Sequence, residues 1–267
     1  MRPAPDSPEA RALWALADRL ADAARAATLP YFRASDLTAD SKAAGHFDPV
    51  TAADRAAEDA IRAILAAERP ADAILGEERG AAAGTSGLTW VIDPIDGTRA
   101  FLAGAPTWGV LVALADAAGP FLGVIDQPHI GERFRGGLGR AEIEGPRGTL
   151  PLAARPARPL GQAILLSTFP EVGTPDERAA FERVARAVRL VRYGLDCYAY
   201  GLVAAGQVDL VIEAGLAPYD VAAPIAVIEA AGGLVTDWRG GPAHHGGQIL
   251  AAANPAVHAA ALARLAG

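Results

Sequence analysis

Apolar residues recur at helical spacing in Leu13, Leu16, Leu20, Ala24 and Ala27, which predicts an amphipathic helix over residues 8–29, ended by Pro30. A polar loop, 35–49, follows. Thr51 stands three residues ahead of Asp54 and is followed by Ala57, Ile61, Ile64 and Leu65, the form of a capping box that opens a second helix running to residue 68. Short apolar runs of β type come next, most closed by a breaker: 73–75 before Gly76, 90–92 before Asp93-Pro94, then 110–114 and 121–125. The Gly- and Pro-rich stretch 136–159 reads as hairpins and a connection between halves. Beyond it strand and helix alternate: strand 163–166, helix 175–187, strand 188–191, helix 197–205, strand 208–212, helix 221–231, strands 234–236 and 249–252, helix 255–265. The pattern predicts layered α and β structure in two lobes, an N-terminal α+β lobe over 1–150 and a C-terminal α/β lobe over 151–267, acting as one unit.

Composition agrees with a globular chain that has a sizeable core, since 51% of the 267 residues are hydrophobic and 21% charged. The net charge is −7, with 24 basic residues, of which only Lys42 is a lysine, against 31 acidic ones. That sign is opposite to a generic polyanion binder, so no nucleic-acid partner is expected. The single cysteine, Cys197, excludes an internal disulfide and a thiolate zinc site and reads as a small core residue. The start of the chain is polar, and no run of about 18 apolar residues occurs, which predicts a cytoplasmic protein without membrane contact.

The stretch Trp90 to Thr98 carries the chemistry. An apolar strand delivers Asp93, Pro94 cannot continue a sheet ladder, and the turn brings Asp96 round so that both carboxylates can face one point, the alternative being a surface turn with solvated aspartates. Adjacent anions in a partly buried place are costly unless a cation lies between them, and oxygen donors of this kind suit Mg²⁺. Gly97 and Thr98 add backbone N–H groups and a hydroxyl at a helix start, a favourable place for phosphate. Gly76-Glu77-Glu78 repeats the device, an apolar strand ending in a glycine that lets the chain turn and present Glu77. Asp220, in Pro218-Tyr219-Asp220-Val221, follows a strand and is expected at the N-cap of a helix, free to cap and ligate at once. Together these acids give one site the ligands for two or more metal ions that activate water against a phosphoryl group.

In order and spacing, Gly76-Glu77-Glu78, Asp93-Pro94-Ile95-Asp96-Gly97-Thr98 and Asp220 with Gly232-Gly233 resemble the signatures of the inositol monophosphatase family of Mg²⁺-dependent, lithium-sensitive phosphatases. Lys42, Asp48-Pro49-Val50-Thr51 and Asp54 match its N-terminal pattern, so the resemblance spans nearly the whole chain. It implies a sandwich of alternating helix and sheet layers, a homodimer, and two to three Mg²⁺ ions per site. Glu77, Asp93 and the carbonyl of Ile95 would hold the first, Asp93, Asp96 and Asp220 the second, and Glu77 with waters a weaker third. Thr98, its hydroxyl polarised by Asp54, would orient the attacking water, and the N–H groups of Gly97 and Thr98 would hold the phosphate, with the Lys42 loop lying over the ions.

Several positions are more similar to the histidinol-phosphate phosphatases of that family than to its inositol monophosphatases: Arg99-Ala100-Phe101 after Thr98, Tyr219 before Asp220, Tyr193 to Tyr198, Gly123 to Pro128, and Gly131-Glu132-Arg133. Histidinol phosphate carries an amine and an imidazole, so carboxylates are expected in its pocket, and Asp196 and Glu213 are candidates for substrate contact or for local capping. Arg99 either contacts the substrate or pairs with an acid at the rim. Inositol 1-phosphate is the next candidate substrate, with nucleotide 3′-phosphates and sugar bisphosphates behind it. A silent scaffold associated with RNA or transcription is the alternative of another class, opposed by the acidic balance and the complete carboxylate set. His46, beside Lys42, is a weaker candidate for closing over substrate, and His244-His245 reads as a solvated loop rather than a metal pair.

Overall fold

In the computed structural model, Ser7 caps helix α1 (Pro8–Thr28), its hydroxyl accepting the Ala10 N–H at 3.1 Å, and the buried face is the predicted stripe of Leu13, Leu16, Leu20 and Ala24. The structure describes residues 2–35, 40–41 and 49–267. Two short strands, β1 (Asp40–Ser41) and β2 (Pro49–Val50), pair before α2 (Ala52–Glu68), whose capping box at Thr51 and Asp54 is as expected.

A large sheet follows: β3 (Ala73–Gly76), β4 (Gly80–Ala82), β5 (Thr89–Asp96), then, after the short α3 (Thr98–Leu102), β6 (Gly109–Asp116), β7 (Gly119–Gln127), β8 (Glu132–Gly137), β9 (Arg140–Gly145) and β10 (Gly148–Pro151). Its spatial order is β10-β9-β8-β7-β6-β5-β3-β4, antiparallel except where β3 runs alongside β5. The stretch expected to form hairpins therefore extends this sheet as β8 to β10. After a 3-10 turn (Leu160–Gln162) come β11 (Ile164–Ser167), α4 (Pro175–Ala185), β12 (Leu190–Tyr193), α5 (Asp196–Ala204), β13 (Leu210–Leu216), α6 (Pro218–Ala230), β14 (Leu234–Thr236), β15 (Gly247–Ala252) and α7 (Pro255–Ala266). The second sheet has the order β12-β11-β13-β15-β14.

Five layers result. Helices α1 and α2 cover one face of the large sheet, α5 and α6 lie between the two sheets, and α4 and α7 cover the far face of the small one. Alternation along the strands sorts side chains between cores: Trp90 and Ile92 point to the α1/α2 side and Val91 to the central helices, just as Leu210 and Ile212 face α4 and α7 while Val211 faces inward. Helix α6 packs against both sheets, which explains its uniformly apolar residues from Val221 to Ile228. No helix among the described residues is long and apolar enough to cross a membrane.

Candidate active site

Strand β5 does not stop at Asp93. It runs through Pro94 to Asp96, and its register against β6 moves from Asp93 opposite Leu111 to Asp96 opposite Gly109, so one extra residue is accommodated on the β5 side. This bulge answers the proline, whose missing N–H would break a regular ladder. It also undoes the alternation that would set residues three apart on opposite faces, so Asp93 and Asp96 share one. Asp93 Oδ1 accepts the Ile95 N–H at 3.0 Å, and Asp96 Oδ2 accepts the Cys197 N–H at 2.5 Å. Across the cleft, α6 opens after Ala217. Asp220 lies in its first turn, three residues past the N-cap position expected for it, because Pro218 is pre-organised to start the helix earlier. Its Oδ2 reaches back to accept the Ala217 N–H at 2.7 Å.

Carboxylate oxygens of Asp93, Asp96 and Asp220 lie within 4.8 Å of one another. Burial, then repulsion from Glu77, Asp96 and Asp220, pushes the Asp93 carboxyl well up, and burial followed by Asp196 and Asp220 does the same to Asp96. Asp220 is pushed up to about 7, chiefly by burial. Three such acids held together are stable as carboxylates only with a cation among them, and an all-oxygen donor set suits a hard divalent ion.

Glu77 joins this cluster from the turn after β3. Gly76 was expected to serve the turn by its conformational freedom, yet its backbone is ordinary strand, with no positive φ. The space is what matters: a Cβ there would lie 2.1 Å from Glu58 Oε1. Buried Glu58, on α2, accepts the Glu78 N–H at 2.7 Å, the Arg79 N–H at 3.1 Å and Arg62 Nε at 2.7 Å, and so holds the turn that presents Glu77. One turn earlier on the same helix, Asp54 Oδ2 accepts the Thr51 N–H at 2.8 Å and the Thr51 hydroxyl at 2.6 Å. Its Oδ1 is buried with no hydrogen-bond partner among the described residues, and burial raises the carboxyl.

Gly97 precedes α3 with φ +83°, and a Cβ there would lie 2.7 Å from the Asp196 Cγ. The Thr98 hydroxyl donates to the Ile95 carbonyl at 3.1 Å rather than to Asp54. A cleft of about 580 Å³ is lined by Asp96, Thr98, Asp196 and Asp220 and by Phe169 and Glu171.

The model of the inositol monophosphatase family matches residues 10–267. The chain belongs to the inositol monophosphatase family. It is thus a phosphatase of a metal-dependent family. It is 42% identical over 229 residues to the chloroplastic bifunctional phosphatase IMPL2 of Arabidopsis thaliana, a match covering 85% of the chain and 64% of that longer relative. To the histidinol-phosphatase of Mycobacterium tuberculosis it is 36% identical over 253 residues, 94% of the chain and 96% of the relative. A solved inositol monophosphatase from Zymomonas mobilis superposes with a TM-score of 0.83 at 38% identity, covering 95% of this chain and 97% of that one.

In this family member the structure brings Asp93, Asp96 and Asp220 together, with Glu77 against Asp93, Asp54 within electrostatic reach of Glu77, and Ile95, Gly97 and Thr98 on the adjoining loop. Lys42, His46 and Asp48 lie outside the described residues. Asp196 lines the cleft, accepts the Thr107 hydroxyl at 3.1 Å and has its carboxyl raised to about 6, mainly by burial. Glu213 is more committed to structure: Oε1 accepts the Thr168 N–H at 2.9 Å and hydroxyl at 2.5 Å, and Oε2 accepts the Tyr200 hydroxyl at 2.7 Å. Arg99 places its guanidinium 5.2 Å from the centroid of the Phe169 ring. Cys197 is buried beside Asp96, as a core thiol. Sequence reasoning missed Glu58, Thr168, Phe169 and Glu171. Glu58 shares a helix face with Asp54 at i and i+4, a signal present in the sequence; the other three depend on how β11 meets β13.

Proposed function

We propose that this phosphatase hydrolyses histidinol phosphate to histidinol and phosphate, using Mg²⁺. The observation that carries the chemistry is the convergence of Asp93, Asp96 and Asp220 within 4.8 Å at the head of the cleft. Asp93, Asp96 and Asp220 would hold one ion, Glu77, Asp93 and the Ile95 carbonyl another, and Glu77 with waters a weaker third. Bound Mg²⁺ would offset the charge of the phosphate and make a water acidic enough to attack it.

The chain's own groups would do the rest. The N–H groups of Gly97 and Thr98 bind phosphate oxygens, the Thr98 hydroxyl orients the water, and buried Asp54, with one oxygen unpartnered among the described residues, supplies an acceptor nearby. Hydrolysis of phosphate monoesters is among the slowest uncatalysed reactions, with accelerations up to about 10²¹-fold, and positioning with charge neutralisation supplies most of it. The histidinol reading is supported by the carboxylates of Glu171 and Asp196 lining the cleft, complementary to an amine and an imidazole, and by the relative from Mycobacterium tuberculosis.

The second reading, inositol 1-phosphate, is favoured by the fold match to the Zymomonas mobilis enzyme. Phosphate release from histidinol phosphate and inositol 1-phosphate at matched concentrations decides between them: faster release from histidinol phosphate is expected, and equal or reversed rates overturn the assignment. A scaffold role would instead be supported if Asp93→Asn lost phosphatase activity while the protein's cellular function persisted.

A further inference from the structure

We propose that Phe169 selects the organic part of the substrate, its ring face at the cleft mouth receiving a cationic group carried by the same molecule as the phosphate. Phe169 is 44% exposed, so its ring is open to solvent, and it lines the cleft that contains Asp96, Thr98 and Asp220. Its face already holds a cation, the Arg99 guanidinium at 5.2 Å from the ring centroid, through the attraction of a positive charge to the negative face of an aromatic ring.

The ring's place is imposed by the sheet beneath it. Glu213, buried on β13, grips the backbone and hydroxyl of Thr168, and the Ser167 hydroxyl donates to the Phe169 carbonyl at 3.3 Å, so the loop after β11 is tied on both sides of Phe169's peptide. Glu171 and Asp196 of the same cleft raise the local concentration of positive groups. Arg99 follows Thr98 directly, so a phosphate seated at Gly97 and Thr98 attracts its guanidinium. An amine or imidazolium on the other end of the substrate then takes its place over the ring, one cation exchanging for another. This rests on the phosphatase reading above and names the substrate class as phosphate monoesters bearing a nearby cation, of which histidinol phosphate is one.

The test compares wild type, Phe169→Leu and Phe169→Trp, with Mg²⁺, on O-phosphoethanolamine, which is cationic, and glycerol 2-phosphate, which is not. Phe169→Leu keeps apolar bulk without a ring face. It is expected to lower kcat/KM for O-phosphoethanolamine by about 3- to 30-fold, mainly through KM, and to change glycerol 2-phosphate by no more than ~2-fold, while Phe169→Trp retains the preference. Arg99→Ala is expected to shift the cationic-to-neutral ratio the opposite way. An equal loss on both esters, an unchanged ratio, or a wild type that favours the neutral ester overturns the proposal. Histidinol phosphate and inositol 1-phosphate run alongside separate the two readings: a wild type that prefers inositol 1-phosphate overturns the histidinol assignment, whereas the ratio for the two small esters still judges Phe169.

Discussion

Asp93, Asp96 and Asp220 are held where their charges repel, and that places a pH signature on the metal-free protein. Asp220 is raised to about 7 in the folded chain and has an ordinary value of about 4 when unfolded. Between those values the folded state keeps a proton that the unfolded state has lost, so the associated stability is full below the lower value and is lost as pH rises through the upper one. With a chelator present, the melting temperature is therefore expected to fall from about pH 4 to about pH 7, and Asp220→Asn to flatten that fall. Mg²⁺ held by these carboxylates would act in the opposite sense: its increment in melting temperature is expected to grow over the same range and to shrink in Asp220→Asn. A pH-independent increment would count against the acids as ligands. For catalysis, Asp93→Asn keeps the shape but removes the charge, and a loss of at least about 10²-fold in kcat is expected, measured as phosphate release.

Local structure positions these residues in two different ways. In β5 a bulge at Pro94 rotates Asp96 onto the face of Asp93, an effect of the backbone alone. In the turn after β3 the agent is a side chain from another element, Glu58 of α2, filling the place of a Gly76 Cβ. Glu58→Ala leaves the N–H groups of Glu78 and Arg79 without their acceptor and is expected to cost about 1–3 kcal/mol of stability in urea unfolding. It should also weaken Mg²⁺ binding by about 10- to 100-fold, read from the Mg²⁺ dependence of activity, because Glu77 loses its support. Gly76→Ala is expected to reproduce the binding defect, since the new methyl group displaces the Glu58 carboxylate. An Mg²⁺ response like that of wild type in both variants would show that the Glu77 turn holds itself.

Across the whole molecule, the layers bring together acids from β5, from the turn after β3 and from the start of α6, which are far apart in sequence. Some residues that suggested the histidinol-phosphate branch serve this assembly rather than the cleft. Asp126 is fully buried and accepts Arg25 from α1 at 2.5 Å and Arg133 from β8 at 2.7 Å, and Arg133 also donates to Asp22 at 2.7 Å. Glu132 accepts the Tyr198 hydroxyl at 2.7 Å, fastening α5 to the large sheet. Asp126→Ala takes one acceptor from each of two arginines, of which Arg133 keeps Asp22 and Arg25 is partly exposed, and is expected to destabilise by about 1–3 kcal/mol in urea unfolding. The ratio of kcat/KM between histidinol phosphate and inositol 1-phosphate should be unchanged in this variant, and a shifted ratio would show that the ion pairs reach the site.

Helix periods, the capping box at Thr51, the alternating strands and the order of the acidic motifs were legible because they are local: each depends on residues a few positions apart and on the period of one element. Glu77, Asp93, Asp96 and Asp220 could thus be named from the chain alone, down to the chemistry their oxygens suit. What the tertiary structure decided is non-local. The passage of β5 through Pro94 depends on its pairing with β6, the need for Gly76 depends on Glu58 across a helix–sheet contact, and the commitment of Glu213 to Thr168 and Tyr200 depends on β11 lying beside β13. Side chains distant in sequence acquire partners only when layers pack, so the acids of the cluster were written in the sequence, whereas the cleft around them was set by packing.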